Sequence, residues 1–206
     1  MFNEENTVEQ MVLDTLCGDV TSNMVAEELA SYGGEIKSWR FVPAEELSRL
    51  HSDVLLESMV RDALIRLNPE IKTQPDRADE VLYRLRTIPL SVQSEGLVRA
   101  NELFAEWLRG EKSMPFGERG EHTPVRLIDF ENLSNNDYVV TNQWVYPVKE
   151  GGRRFDIIML VNGIPLVFIE LKASHKNLKD AYDHNLKDYK DTIPHLFWYN
   201  ALILLS

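Results

Sequence analysis

The stretch FDIIMLVNGIPLVFIELK, Phe155 to Lys172, decides the fold. Two apolar runs flank Asn162-Gly163, a strong hairpin-turn signal, and both are rich in β-branched and aromatic residues. Polar side chains are few: Asp156 opens the first run, and Glu170 and Lys172 close the second. Side chains alternate across a strand, so Glu170 and Lys172 share a face. Charge held away from water is costly unless it is paired. A buried hairpin carrying two acids and a lysine therefore needs a reason. A divalent cation held by the carboxylates, with the lysine beside it, supplies one.

The register of the hairpin tests that reading. A strict two-residue loop at Asn162-Gly163 pairs Phe155 with Glu170 and turns Asp156 away. A three-residue loop with Gly163 left-handed, or an equivalent bulge, pairs Asp156 with Glu170. The second arrangement is predicted; acids on opposite faces exclude a shared cation.

Other segments widen the pattern: Leu127-Ile-Asp-Phe-Glu-Asn, Asn142-Gln143, Val161-Asn-Gly-Ile-Pro-Leu-Val, Glu170-Leu-Lys, and Tyr189 followed by Ile193-Pro194. With these the chain resembles the N-terminal nuclease domain of the R (restriction, motor) subunit of type I restriction enzymes, in the PD-(D/E)xK superfamily. The resemblance covers most of the chain and is strongest from Leu127 onward. It implies an α/β, restriction-endonuclease-like fold: a mixed sheet core flanked by helices. It also implies that Asp156, Glu170 and Lys172 are catalytic, and that Asp156, Glu170 and the backbone carbonyl of Leu171 hold Mg²⁺. An acid on the first helix approaches such sites, and Glu9 matches it. A Gln-xxx-Tyr motif follows the hairpin in this family; here Asn185 stands for the glutamine, with a shorter reach, and Tyr189 for the tyrosine. Phe155 replaces the proline of the superfamily's name.

The chemistry agrees with that donor set. Phosphodiester hydrolysis needs a water made nucleophilic at neutral pH and a sink for developing charge, and Mg²⁺ supplies both. Mg²⁺ keeps several waters, so one or two carboxylates suffice. Lys172 would orient the attacking water or stabilise negative charge. Arg153 and Arg154, just before Asp156, could touch phosphate, but ordinary surface charge is the preferred reading. Glu9, read alone, is a helix acid facing water. The plain alternative for Asp156, Glu170 and Lys172 is a strand-end ion pair, and for Tyr189 simple packing.

A chain of 206 residues suits one large domain or a domain with a subdomain. Cys17 is the single cysteine, which excludes an internal disulfide and a cysteine zinc site and fits a reducing, cytoplasmic setting. The N-terminus, MFNEEN, lacks a signal-peptide core, and no apolar stretch is long enough to span a membrane. The five histidines include no i,i+4 pair, and no Walker A loop occurs. The net charge of −11 argues against a general nucleic-acid binder, but residues 149–190 sum to +2. The candidate site thus lies in the least acidic segment.

Helical spacing marks residues 5–17, Leu56 to Leu67, Ala78 to Leu85, and Leu97 to Leu108. Asn68-Pro69 ends the second of these, and Gly110 follows the last. Pro43 opens a helix, and Ile36 to Val42 reads as a short strand. Asn101, on an apolar face, reads as a satisfied buried amide. Met114 to Pro124 reads as a loop. Strands are expected over Val125–Phe130 and Tyr138–Val148, then in the hairpin, and a closing strand over Phe197–Leu205. Ser174 would cap a helix running to about Lys190. A helical subdomain is therefore expected over 43–112 and a sheet core over 125–206, with the end at Ser206 reading as a cut chain.

The resemblance implies a metal-dependent endonuclease acting on duplex DNA without sequence specificity of its own. Modification and specificity subunits would be its partners, and ATP would be used only by motor domains beyond Ser206. The rival readings are a noncatalytic domain that docks the motor to its partners, and a repair or recombination nuclease of the same fold.

Overall fold

The computed structural model describes residues 8–18, 39–50, 53–148, 151–171, 187–192, 197, 199 and 202–205. The hairpin sits at the centre of a five-stranded mixed sheet. Its order is β1 (Arg40–Phe41), β4 (Tyr138–Val148), β5 (Gly151–Val161), β6 (Ile164–Glu170) and β7 (Leu202–Leu205). The three middle strands are antiparallel, and the short outer strands join in parallel. Helix α1 (Glu9–Cys17) precedes the sheet. Helices α2 (Glu57–Leu67), α3 (Pro69–Thr73), α4 (Arg77–Glu95) and α5 (Leu97–Leu108) fall between β1 and β4, and α6 (Lys187–Thr192) falls between β6 and β7.

Two apolar clusters flank this sheet. In the larger, Val60, Leu64, Ile71, Leu85 and Phe104 of the central helices meet Trp144, Ile158, Leu160 and Phe168. In the smaller, Leu13 of α1 meets Val140, Ile157, Met159, Ile169 and Leu171. β5 and β6 supply both clusters, which is why their sequences are almost continuously apolar. The architecture is α/β, and the stretch 43–112 shares its core with the sheet.

Asn162 and Gly163 have φ of 53° and 80°, the left-handed pair of a two-residue turn, and Val161 pairs with Ile164. The register then slips. Leu160 pairs with Pro165 but Met159 with Val167, so Leu166 is an extra residue. Pro165 has no N–H to give to the ladder, and proline within a sheet is confined to such irregularities. Beyond the bulge Ile157 pairs with Ile169, a register that, carried one residue further, brings Asp156 across from Glu170. The bulge, and not a three-residue loop, produces the predicted pairing.

The turn is buried and clamped. Asn162 donates its side-chain amide to the Leu127 carbonyl at 2.8 Å and to Asn136 Oδ1 at 2.9 Å. Its Oδ1 accepts from the Asp137 N–H at 2.8 Å and the Arg66 guanidinium at 3.0 Å. The Leu56 N–H, at the start of α2, donates to the Gly163 carbonyl at 2.9 Å. A Cβ on Gly163 would lie 2.7 Å from the Leu56 oxygen, so both φ and space require glycine.

Several local expectations change. Val125–Phe130 is not a strand, although Val125, Leu127 and Ile128 are buried. Asparagine amides take the place of a neighbouring strand. Asn68 pairs with both the N–H and the carbonyl of Arg126 (2.8 and 2.9 Å), and Asn136 does the same for Asp129 (2.9 and 2.8 Å). The Asp129 carboxylate accepts the N–H groups of Asn132 and Glu131 and the Asn135 amide, which hold its pKa below the usual range. Pro43 precedes only a 3-10 turn, Ala44–Glu46, and the strand expected over Ile36–Val42 is described only at Arg40–Phe41. Pro69 both ends α2 and starts α3, and α4 continues through Pro89 to Glu95. The Met114–Pro124 loop is pinned by a ribbon of β2 (Ser113–Met114) and β3 (Thr123–Pro124). The Asn101 amide donates to the Phe197 carbonyl at 2.7 Å, as a satisfied amide should. Of the closing strand, Leu202–Leu205 is described, and Phe197 and Tyr199 are buried. Ser174 lies outside the described residues.

Candidate active site

The site forms where the β4–β5 ladder is interrupted. Asn142 pairs with Ile157 and Trp144 with Phe155, and the regular ladder skips Gln143 and Asp156 between them. Gln143 has φ of 53°, a conformation that non-glycine residues rarely adopt. Facing slips here too. Val139 and Trp144 both enter the larger cluster although an odd number of residues separates their positions, as do Phe155 and Ile158. Asp156 thus stands at a break in regular pairing.

The Leu171 N–H donates to Asp156 Oδ2 at 2.7 Å, tying the middle of β5 to the end of β6. Leu171 meets Asp156 through its N–H in this conformation. Glu170, next to it, is buried at 7% exposure. The Tyr189 hydroxyl lies 3.4 Å from Glu170 Oε2 and 3.2 Å from the Arg154 carbonyl, and its ring packs on Phe155 with centroids 4.6 Å apart. Burial first, then the charges of Glu170 and Asp156, push the Tyr189 phenol well above its usual pKa. Tyr189 packs, as the plain reading held, and also touches a site carboxylate.

Glu9 does not face water. It is 2% exposed, and it accepts from the Gln143 amide at 2.6 Å and the Asn142 amide at 3.4 Å. The physical cause is helical spacing: Leu13, one turn on, is the buried anchor of α1 and carries Glu9 inward with it. Arg153 donates from Nε and Nη2, one edge of its guanidinium, to both oxygens of Asp188 on α6, beside Tyr189, and Arg154 is exposed. Lys172 and Asn185 lie outside the described residues.

Asp156, Glu170, Leu171 and Tyr189 are thus brought together; Glu9 approaches through the amides of β4, and Arg153 is engaged with α6. Two carboxylates, one in the middle of β5 and one at the end of β6, match the hard-oxygen preference of Mg²⁺. Among the described residues no three acidic, histidine or cysteine side chains form a metal cage. In the sequence Asn142 and Gln143 stand out only as part of a motif. Their signal was a polar pair inside an apolar strand, between Thr141 and Trp144, both fully buried. The role of Asp188 left no mark in the sequence. No helix among the described residues is long and apolar enough to cross a membrane.

The model of the type I restriction enzyme R protein N terminus matches residues 1–206. The chain is 31% identical, over its whole length, to the type I restriction enzyme HindI endonuclease subunit of Haemophilus influenzae. It is 28% identical, again over its whole length, to the putative type I restriction enzyme MjaIXP endonuclease subunit of Methanocaldococcus jannaschii. It spans 18% of the length of each of these curated relatives. A type I restriction enzyme endonuclease subunit of Staphylococcus saprophyticus matches 62% of the chain at 27% identity.

Proposed function

The chain belongs to the family of type I restriction enzyme R protein N termini, and on that premise we propose that it is the metal-dependent nuclease module of such a subunit. It would hydrolyse phosphodiesters of duplex DNA without sequence preference of its own. The observation that carries this reading is the register of the hairpin: past a bulge at Leu166, Ile157 pairs with Ile169, and the same register carried one residue on brings Asp156 across from Glu170. A one-residue slip would have parted the two acids.

Asp156 and Glu170 would hold Mg²⁺, with the Leu171 backbone carbonyl as a further ligand, and the bound ion would supply an activated water and neutralise charge on the phosphate. Tyr189 would orient Glu170 through its hydroxyl. Lys172, two residues past Glu170, would stabilise developing negative charge. Arg154, exposed at the approach to Asp156, would contact phosphate. Motor domains using ATP, and modification and specificity subunits, would complete the enzyme. The net charge of −11 supports a module that acts on DNA delivered to it and has little affinity of its own.

Titration of Mn²⁺ into the chain and into Asp156→Ala tests this. Binding in the first and loss in the second is the expected result. Binding left unchanged by the substitution places the metal elsewhere and overturns the assignment; absence of binding in both favours a docking domain or a site completed only by DNA.

A further inference from the structure

We infer that Gln143 is a positioning residue for the metal site: it holds the Glu9 carboxylate of α1 against the strand that carries Asp156. The inference rests on the nuclease reading above and adds a residue to it.

Three independent observations meet at Gln143. Its backbone is left-handed, at φ of 53°, inside an eleven-residue strand. A side chain larger than glycine is strained there, and such strain persists where the surroundings impose it, often at functional sites. It also occupies the one position where the β4–β5 ladder skips a pair, and the residue across the gap is Asp156. Its amide donates to Glu9 at 2.6 Å, across 134 positions of sequence.

The segment is kept at a cost on both sides. Among the described residues, the buried Thr141 Oγ1 and Trp144 Nε1 have no hydrogen-bond partner, and these two residues bracket Asn142-Gln143. A regular strand would pair Gln143 with Asp156 and direct its side chain by simple alternation. The break instead turns the amide toward α1, at the position across from Asp156. One irregularity thus serves two acids. Glu9, 2% exposed, is an expensive charge to bury, and the two amides from β4 offset part of that cost. A buried carboxylate fixed in this way adds a negative field at the edge of the Asp156–Glu170 pair and favours a cation there.

Substitution at Gln143 separates side chain from backbone. Gln143→Gly accepts the left-handed φ and removes only the amide. Gln143→Asn also tolerates that φ and shortens the reach by one methylene. Mn²⁺ affinity would be measured for the wild-type chain, both variants, Glu9→Gln, and the double variant Glu9→Gln/Gln143→Gly, with thermal unfolding recorded alongside. The expected result is a dissociation constant raised about 10-fold in Gln143→Gly and in Glu9→Gln, in the range found for groups that orient metal ligands. The double variant should be no weaker than either single one, because Gln143 acts through Glu9. A purely structural role would shift unfolding and leave the dissociation constant unchanged; that result overturns the inference, as do fully additive effects. Loss of binding in Asp156→Ala with wild-type affinity in Gln143→Gly and Gln143→Asn removes this inference alone. Wild-type affinity in all of them, Asp156→Ala included, removes the nuclease assignment with it.

Discussion

Asp156 accepts the backbone N–H of Leu171 at 2.7 Å, so the carboxylate assigned to metal also closes the end of the hairpin. The two roles separate by substitution. Asp156→Asn keeps an acceptor for the N–H and should unfold within about 0.5 kcal/mol of wild type, the range of substitutions that disturb no buried feature. Asp156→Ala leaves the N–H unpaired and should lose about 1–2 kcal/mol. Both should abolish Mn²⁺ binding. Urea unfolding beside metal titration checks this, and retained binding in Asp156→Asn would argue against a carboxylate ligand.

The clamp on the turn sets the register from a distance. Asn162→Ala removes the partner of two buried acceptors and two part-buried donors, and should cost about 3 kcal/mol. Gly163→Ala forces a Cβ to within 2.7 Å of the Leu56 oxygen at φ of 80° and should cost at least as much. Denaturant midpoints measure both. A Gly163→Ala protein of wild-type stability would mean that α2 does not rest on the turn.

Arg153 and Arg154 should behave differently in DNA binding. Arg153 is engaged by Asp188, and both side chains are about two-thirds buried. Arg153→Ala and Asp188→Ala should each lower stability by about 1 kcal/mol and show coupling in a double-mutant cycle, with little change in DNA affinity. Arg154→Ala should weaken binding to DNA of any sequence and reduce the salt dependence by about one counterion. Fluorescence anisotropy at several salt concentrations distinguishes the two, and an equal loss for both variants would contradict the assignment.

Alkaline pH should loosen the fold through its buried tyrosines. Burial pushes Tyr146 from 10.0 up to about 12, and raises Tyr189 and Tyr199 further. A raised folded-state pKa contributes stability that is fully present below pH 10 and is lost as pH climbs through the folded value. Stability should be flat on this account up to about pH 9 and then fall, each tyrosine contributing about 1.4 kcal/mol per pH unit. Unfolding followed beside tyrosinate absorbance checks the slope. Tyr189→Phe should flatten it, and an unchanged slope would place the Tyr189 hydroxyl in water.

Helix starts, the hairpin and the long strand Tyr138–Val148 were legible because their causes are local: apolar periodicity, Asn-Gly, and proline or glycine at boundaries. The candidacy of Asp156 and Glu170 was legible too, as acids at the ends of apolar strands. The failure at Val125–Phe130 has the opposite cause. Those residues have strand composition, but their backbone partners are the side chains of Asn68 and Asn136, and Asn68 comes from a helix boundary 58 positions away.

By itself the sequence determined a hairpin with two acids, the α/β class and, through its motifs, the resemblance to a restriction nuclease. Only the tertiary structure decided how the acids come to face each other, why Glu9 is buried, and where Arg153 is spent. Each of these depends on groups that are remote in the chain and meet only when the sheet closes. The bulge beside Pro165 shifts the register by one residue, α1 docks through Leu13, and α6 sets Asp188 beside β5. Pattern along a chain reports what each segment prefers alone, whereas pairing across 35 or 134 positions is selected by packing of the whole core.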